Sequence, residues 1–253
     1  MSGDRSRQRL IYGLHPVQEV LRAGQPLTEI VVSQNRSDTP ALAEIGALAQ
    51  TAGVALRHAA AGELDNLASD GVHQGVVAFG PPLKMFTLDE ALTHAFDGPL
   101  PPLFVALDSV TDPQNVGSIA RSAEVFGANG IILPSRRTAP VTAVAEKAAA
   151  GAFAHLPVIV VGNMVQALAE LAKAGVWSLG LAGEATVELA THPLVGEPAV
   201  LVVGAEGRGL SPLIEKRVDG LVRLPMHGQV GSLNAAVAAA IGLYTLRGHT
   251  AKK

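Results

Sequence analysis

Hydrophobic positions along the 253 residues follow two rhythms. From residue 10 to 80, short apolar runs alternate with segments whose apolar residues recur every three or four positions. HPVQEVLRAG (15–24) reads as a helix closed by Gly24, LTEIVVS (27–33) as a strand, and ALAEIGALAQTAG (41–53) as a helix closed by Gly53. GVALRHA (53–59) and HQGVVAFG (73–80) are further strand candidates. PPLKMFTLDEALTHAFDGPLPP (81–102) carries two proline pairs and one short helix candidate, LDEALTHAF; it reads as an inter-domain connection. From residue 103 the strands LFVALDSV, GIILP, HLPVIVV, VWSLGLAG, AVLVVG and GLVRLP alternate with helix candidates. These are NVGSIARSAEVFG, AVAEKAAAG, MVQALAELAKAG, SPLIEKRV and SLNAAVAAAIGLYTLRG. That alternation predicts an α/β domain with a mostly parallel sheet, helices on both faces and ligand loops at the strands' carboxyl ends. The expected layout is a small α/β domain over 1–80, a linker over 81–102 and a larger domain over 103–253.

Composition narrows the chemistry. Hydrophobic residues make up 48% and charged residues 16%, as in a folded protein with a sizeable core. The absence of cysteine removes disulfides, thiolate metal sites and cysteine nucleophiles. The eight histidines lack ligand spacing, so no metal is expected. No apolar stretch follows the charged N-terminus MSGDRSRQRLIYG, and none is long enough to span a bilayer. A cytoplasmic location without membrane attachment is expected. The formal net charge is −3, with 7 Lys and Arg against 11 Asp and Glu over residues 1–98. Taken alone, this speaks against a phosphate-backbone binder. Arg136–Arg137 and Lys216–Arg217 are local basic pairs, either solvated surface or phosphate contacts.

Three glycine-bearing loops carry the candidate chemistry. In DPQNVGSIAR (112–121), Asp112 or Asn115 can cap a helix that places Val116, Ile119, Ala120, Ala123 and Phe126 on one face. Arg121 lies opposite, with Gly117 and Ser118 one turn back. It is either an exposed helix arginine or a guanidinium that small neighbours leave open to close approach. In AVLVVGAEGRGLSP (199–212), a strand runs into a glycine-rich turn and a helix start. The order Gly204-x-x-Gly207-x-Gly209 is neither the dinucleotide fingerprint nor a P-loop. Glu206 within it would repel phosphate, so a ligand without phosphate fits better. In RLPMHGQVGSLNAAVAAAIG (223–242), Ser232 or Asn234 can cap a helix of small residues, which must pack closely against the body of the fold or a second subunit. His227 is a lone loop histidine, and no G-x-S-x-G elbow supports a serine nucleophile.

In order, NVGSIAR, GAEGRGL and LPMHGQVGSLN resemble the three signature motifs of the SpoU/TrmH (SPOUT) family of RNA ribose 2′-O-methyltransferases. IYGLHPVQEVLRAG and GVHQGVVAF resemble the substrate-binding domain of the branch acting on guanosine in 23S rRNA. The resemblance implies a SPOUT-type sheet with a deep trefoil knot over 103–253, an RNA substrate-binding domain over 1–80, a homodimer and S-adenosylmethionine as methyl donor. It assigns cofactor contacts to Gly204, Leu224 and Leu233, with Leu181, Gly183, Val203, Met226 and Ser232 nearby. It assigns catalysis to Arg121, supported by Asn115, Glu206, Ser232 and Asn234. Alternatives are a tRNA target, an antibiotic-resistance site in rRNA, or a non-catalytic RNA-binding assembly factor. The glycine order disfavours a nucleotide-dependent oxidoreductase.

Overall fold

The computed structural model describes residues 8–36, 39–69, 71–229 and 231–248; most of the charged N-terminal stretch (residues 1–7) and Val230 of the third loop lie outside them. The chain divides into two units: Met1–Lys84 with Val141–His155, and Met85–Pro140 with Leu156–Lys253.

In the first unit, β1 (Arg9–Tyr12), β2 (Glu29–Ser33), β3 (Ala55–Ala59) and β4 (Val76–Gly80) form a sheet in the order β1–β4–β2–β3. Only the β2–β3 pairing is parallel. Helices α1 (Leu14–Arg22) and α2 (Pro40–Ala52) bury Val17, Val20 and Ile45 against Ile11, Ile30 and Val76. Thr39 caps α2 by accepting from Leu42 N, and Gly53 at φ 66° closes it, as a left-handed glycine should. α3 (Ala61–Leu67) buries Leu64. Neither β1 nor α3 was expected from the pattern: each is short and lacks a clean period.

The segment Val141–His155, expected inside the second domain, packs with the first unit. Its helix α6 (Ala143–Ala149) buries Glu146, which accepts from Arg9 Nε at 2.5 Å. The Gln25 amide donates to the Ala154 carbonyl at 2.9 Å. Gly151 lies so close to α1 that a Cβ would sit 2.4 Å from that of Glu19.

In the second unit eight strands pair in the order β10–β12–β9–β11–β6–β7–β8–β5, every pairing parallel. They are β5 (Met85–Phe86), β6 (Leu103–Asp108), β7 (Gly130–Pro134), β8 (Val158–Val161), β9 (Trp177–Leu181), β10 (Val187–Glu188), β11 (Ala199–Gly204) and β12 (Gly220–Arg223). Much of the expected linker is built into this unit. β5 pairs with β8, and α4 (Leu88–Phe96) starts at a reciprocal cap between Thr87 and Glu90. The pleat sends alternate residues to opposite faces. Phe104, Ala106, Val200 and Val202 meet α4, α7 (Met164–Lys173) and the single-turn α8 (Pro212–Glu215). On the other face Leu201 meets α9 (Ala235–Arg247), which packs beside α5 (Pro113–Val125). The small residues of α9 follow from this: a Cβ on Gly242 would lie 2.7 Å from Leu201 Cδ2. At its far end Arg247 donates to the carbonyls of Pro101, Phe126 and Gly127, closing the C-terminus of α5. Burial holds this guanidinium below its ordinary pKa.

Candidate active site

All three motif loops leave carboxyl ends of the parallel sheet. The first follows β6, where Asp112 accepts from Gln114 N at 2.8 Å and so caps α5 in preference to Asn115. That frees the Asn115 side chain, which is buried instead. The second follows β11 and closes on itself: Ala205 and Gly209 exchange two backbone hydrogen bonds of 2.9 and 2.8 Å. Gly207 and Gly209 take φ 76° and 67°, which a side chain would disfavour. Gly204 is required for a different reason, since a Cβ there would lie 2.1 Å from the carbonyl carbon of Gly209. In the third loop, Asn234 rather than Ser232 caps α9, accepting from Ala236 N and Val237 N.

Side chains tie the loops together. Asn234 Nδ2 donates to Asn115 Oδ1 at 3.0 Å and to Glu206 Oε1 at 3.4 Å, and Asn115 Nδ2 donates to Glu206 Oε2 at 3.5 Å. One residue from each motif therefore meets in a single polar cluster. A further anchor of these loops, separate from that cluster, is not legible in the sequence. Buried Asp108, the last residue of β6, accepts from Ser211 N at 2.6 Å and pins the exit of the second loop. Its only signal was a carboxylate ending an apolar strand, because its partner lies 103 positions away.

Beside the cluster is a cavity of about 320 Å³. Leu181 ends β9 and Gly183 lies in the loop after it, while Val203, Gly204 and Glu206 come from β11 and its turn. Leu224, Met226, Ser232 and Leu233 come from the loop after β12. Every residue expected at the cofactor thus lines one cavity. The wall also carries Glu184 and Glu215 with Glu206, against Arg208 and Arg223, a carboxylate excess unsuited to a phosphate group. Its leucine, valine and methionine surfaces and close-set glycine backbone suit a flat apolar ring with a few polar edges.

Arg121 is not in this wall. It is exposed on α5, opposite buried Val116, Ile119, Ala120 and Ala123, and has no side-chain hydrogen bond or ion pair among the described residues. His227 is exposed and also outside the wall. No cluster of histidine and acidic residues suited to a metal occurs among the described residues.

The family model of the SpoU rRNA methylases matches residues 102–244, and that of RNA 2′-O ribose methyltransferase substrate binding matches 10–86. The chain belongs to the SpoU rRNA methylase family. It is 39% identical over 98% of its length, and 99% of the other chain, to the 23S rRNA (guanosine-2′-O-)-methyltransferase RlmB of Pseudomonas syringae pv. tomato. An uncharacterized tRNA/rRNA methyltransferase of Mycolicibacterium vanbaalenii is also 39% identical, over 92% of this chain and 74% of that one. Among solved structures, the SpoU methyltransferase AviRb of Streptomyces viridochromogenes in complex with AdoMet superposes with a TM-score of 0.77 at 25% identity. The match covers 96% of this chain and 90% of that one. An rRNA methyltransferase of Sinorhizobium meliloti reaches 0.78 at 26% identity, with 98% and 90% covered. The SPOUT architecture of a parallel sheet with helices and a small N-terminal substrate-binding domain is therefore that of this SpoU methylase.

Proposed function

We propose that this protein transfers a methyl group from S-adenosylmethionine to the ribose 2′-hydroxyl of a guanosine in 23S rRNA. The observation carrying the reading is the glycine-walled cavity bounded by the loops that join Asn115, Glu206 and Asn234. Full-length similarity to RlmB supports the RNA target. When bound, the cofactor supplies a methyl group already activated on a cationic sulfonium. Backbone groups of Gly204, Leu224 and Leu233 would hold its adenosine part, with Leu181, Gly183, Val203, Met226 and Ser232 lining the same cavity.

What remains for the chain is to align the hydroxyl and lower its proton affinity. A guanidinium offers five hydrogen-bond donors and no acceptor, so Arg121 acts by stabilising the developing alkoxide, and a substrate phosphate takes the proton. Asn115, Glu206, Ser232 and Asn234 orient the ribose and the methionine end. Because Arg121 is absent from its own cavity wall, the reading requires a homodimer in which it serves the partner's cavity. The exposed apolar residues Val237, Ile241 and Tyr244 of α9, with Val125 exposed on the neighbouring α5, supply a contact face. The first unit binds RNA, and the second carries out the transfer with the family's knotted threading. No helix among the described residues is long and apolar enough to cross a membrane, and a ribosomal substrate implies the cytoplasm.

The test is methyl transfer from labelled S-adenosylmethionine to transcribed 23S rRNA and to tRNA, with mapping of the modified ribose. We expect label at one guanosine of the 23S transcript. Arg121→Ala should keep calorimetric cofactor affinity within about threefold while turnover falls roughly 10²–10³-fold. Label confined to tRNA, or near-wild-type turnover of Arg121→Ala, overturns the reading.

A further inference from the structure

Positive charge free to meet a polyanion is unevenly placed. In the first unit Arg9 is held by Glu146, Arg22 by Glu19 and Glu44, and Arg57 by Glu29 and Glu63. Lys147 is partly buried, which draws its pKa down, and donates to Gln74 Oε1 at 2.6 Å. In the second unit Arg223 pairs with Glu188, and Arg247 is engaged by three carbonyls. Five arginines of that unit have no side-chain hydrogen bond or ion pair among the described residues: Arg121, Arg136, Arg137, Arg208 and Arg217. Arg217 precedes β12 and so belongs to the amino edge of the parallel sheet. Arg136 and Arg137 follow β7, on the carboxyl edge that carries the motif loops.

The loop holding Arg136 and Arg137 is fixed rather than trailing. Ser135 N donates to Val161 O at 2.9 Å, and Ala139 N donates to Val110 O at 3.0 Å. Val110 lies two residues before Asp112, the cap of α5, so the second bond ties this loop directly to the loop of the first motif. Arg137 takes φ 67°, a left-handed conformation that a non-glycine residue adopts only at a cost in strain. Two adjacent, unpaired, exposed guanidiniums on a strand-anchored tip suit the oxygens of a phosphodiester backbone, which the guanidinium fork meets in bidentate fashion.

We infer that Arg136 and Arg137 grip backbone phosphates of the RNA substrate beside the methylation site, a contact made by the methyltransferase unit itself. The inference rests on the RNA-methylating reading above. It also accounts for a chain that handles RNA with a net charge of −3: a few unpaired arginines at one sheet edge replace a broad basic surface.

The experiment compares wild type with the double variants Arg136→Ala/Arg137→Ala and Arg136→Lys/Arg137→Lys. Filter binding and methylation of transcribed 23S rRNA are measured from about 50 to about 200 mM KCl. Loss of two phosphate contacts should weaken RNA binding roughly tenfold and make the slope of log K against log salt shallower by about 1.4–1.8. The lysine pair should keep the wild-type slope, while turnover at saturating RNA and cofactor affinity stay unchanged in both variants. An unchanged slope and RNA KM in the alanine pair overturn the inference while leaving the functional reading intact. A wild-type protein that neither binds nor methylates the transcript overturns both.

Discussion

At Gly204 strand β11 runs so close to the returning limb of its own loop that any side chain must displace the Gly209 backbone. Since that loop is also a wall of the cavity, Gly204→Ala should raise the dissociation constant for S-adenosylmethionine at least about tenfold by calorimetry. This follows from overpacking against backbone, which costs about 1–3 kcal/mol. Cofactor affinity equal to wild type would show that the loop shifts freely and is no rigid cradle. Glycine order, the odd carboxylate at Glu206 and the arginine at Arg121 were all legible in the sequence, because each breaks a local pattern. Asp108 was not, since its role exists only through Ser211, far away in the chain. Asp112 and Asn115 are equally good caps for α5 by sequence; in the fold Asp112 takes the cap and Asn115 accepts from Asn234.

Helix α9 shows how an element can serve two surfaces. Ala235, Ala239, Gly242 and Leu243 are buried against the sheet and α5, while Val237, Ile241 and Tyr244 stand exposed at helical spacing on the other side. A helix of such small residues must pack closely against either the body of the fold or a second copy. The inner face meets the body. The outer face supplies the homodimer contact of our proposal, so Ile241→Glu should yield monomers by light scattering and lower turnover at least about tenfold, with the fold kept. A fully active Ile241→Glu monomer would remove the need for Arg121 to act across subunits. Long strands with continuous apolar runs, such as β6 and β11, were readable because burial on both faces demands such runs. The two-residue strands β5 and β10 were not, since pairing with β8 and β12 alone defines them.

Across the whole chain, sequence order and spatial grouping part company at Val141–His155, which joins the first unit. Its anchor, Glu146, is buried deeply enough that desolvation raises its pKa despite the Arg9 guanidinium. A carboxyl whose pKa is raised on folding takes up more protons folded than unfolded. Its contribution is therefore most favourable below the ordinary carboxylate pKa of about 4.3 and is lost as pH rises through the raised value. Glu146→Gln mimics the protonated form. Amide exchange of β1 should accordingly show little difference from wild type near pH 4 and slower exchange in the variant near pH 8. The opposite trend would mean that the ion pair with Arg9 outweighs burial.

The sequence by itself determined the α/β class, the parallel sheet, the three motif loops and the residue types suited to a phosphate-free ligand. Each of these is written in local periodicity or in glycines that only a particular turn requires. Tertiary structure decided which unit residues 141–155 pack with, that Asn115, Glu206 and Asn234 meet, and that Arg121 stands apart from the cavity of its own chain. Those outcomes depend on burial and on contacts between residues up to about a hundred or more positions apart, for which a linear pattern carries no signal.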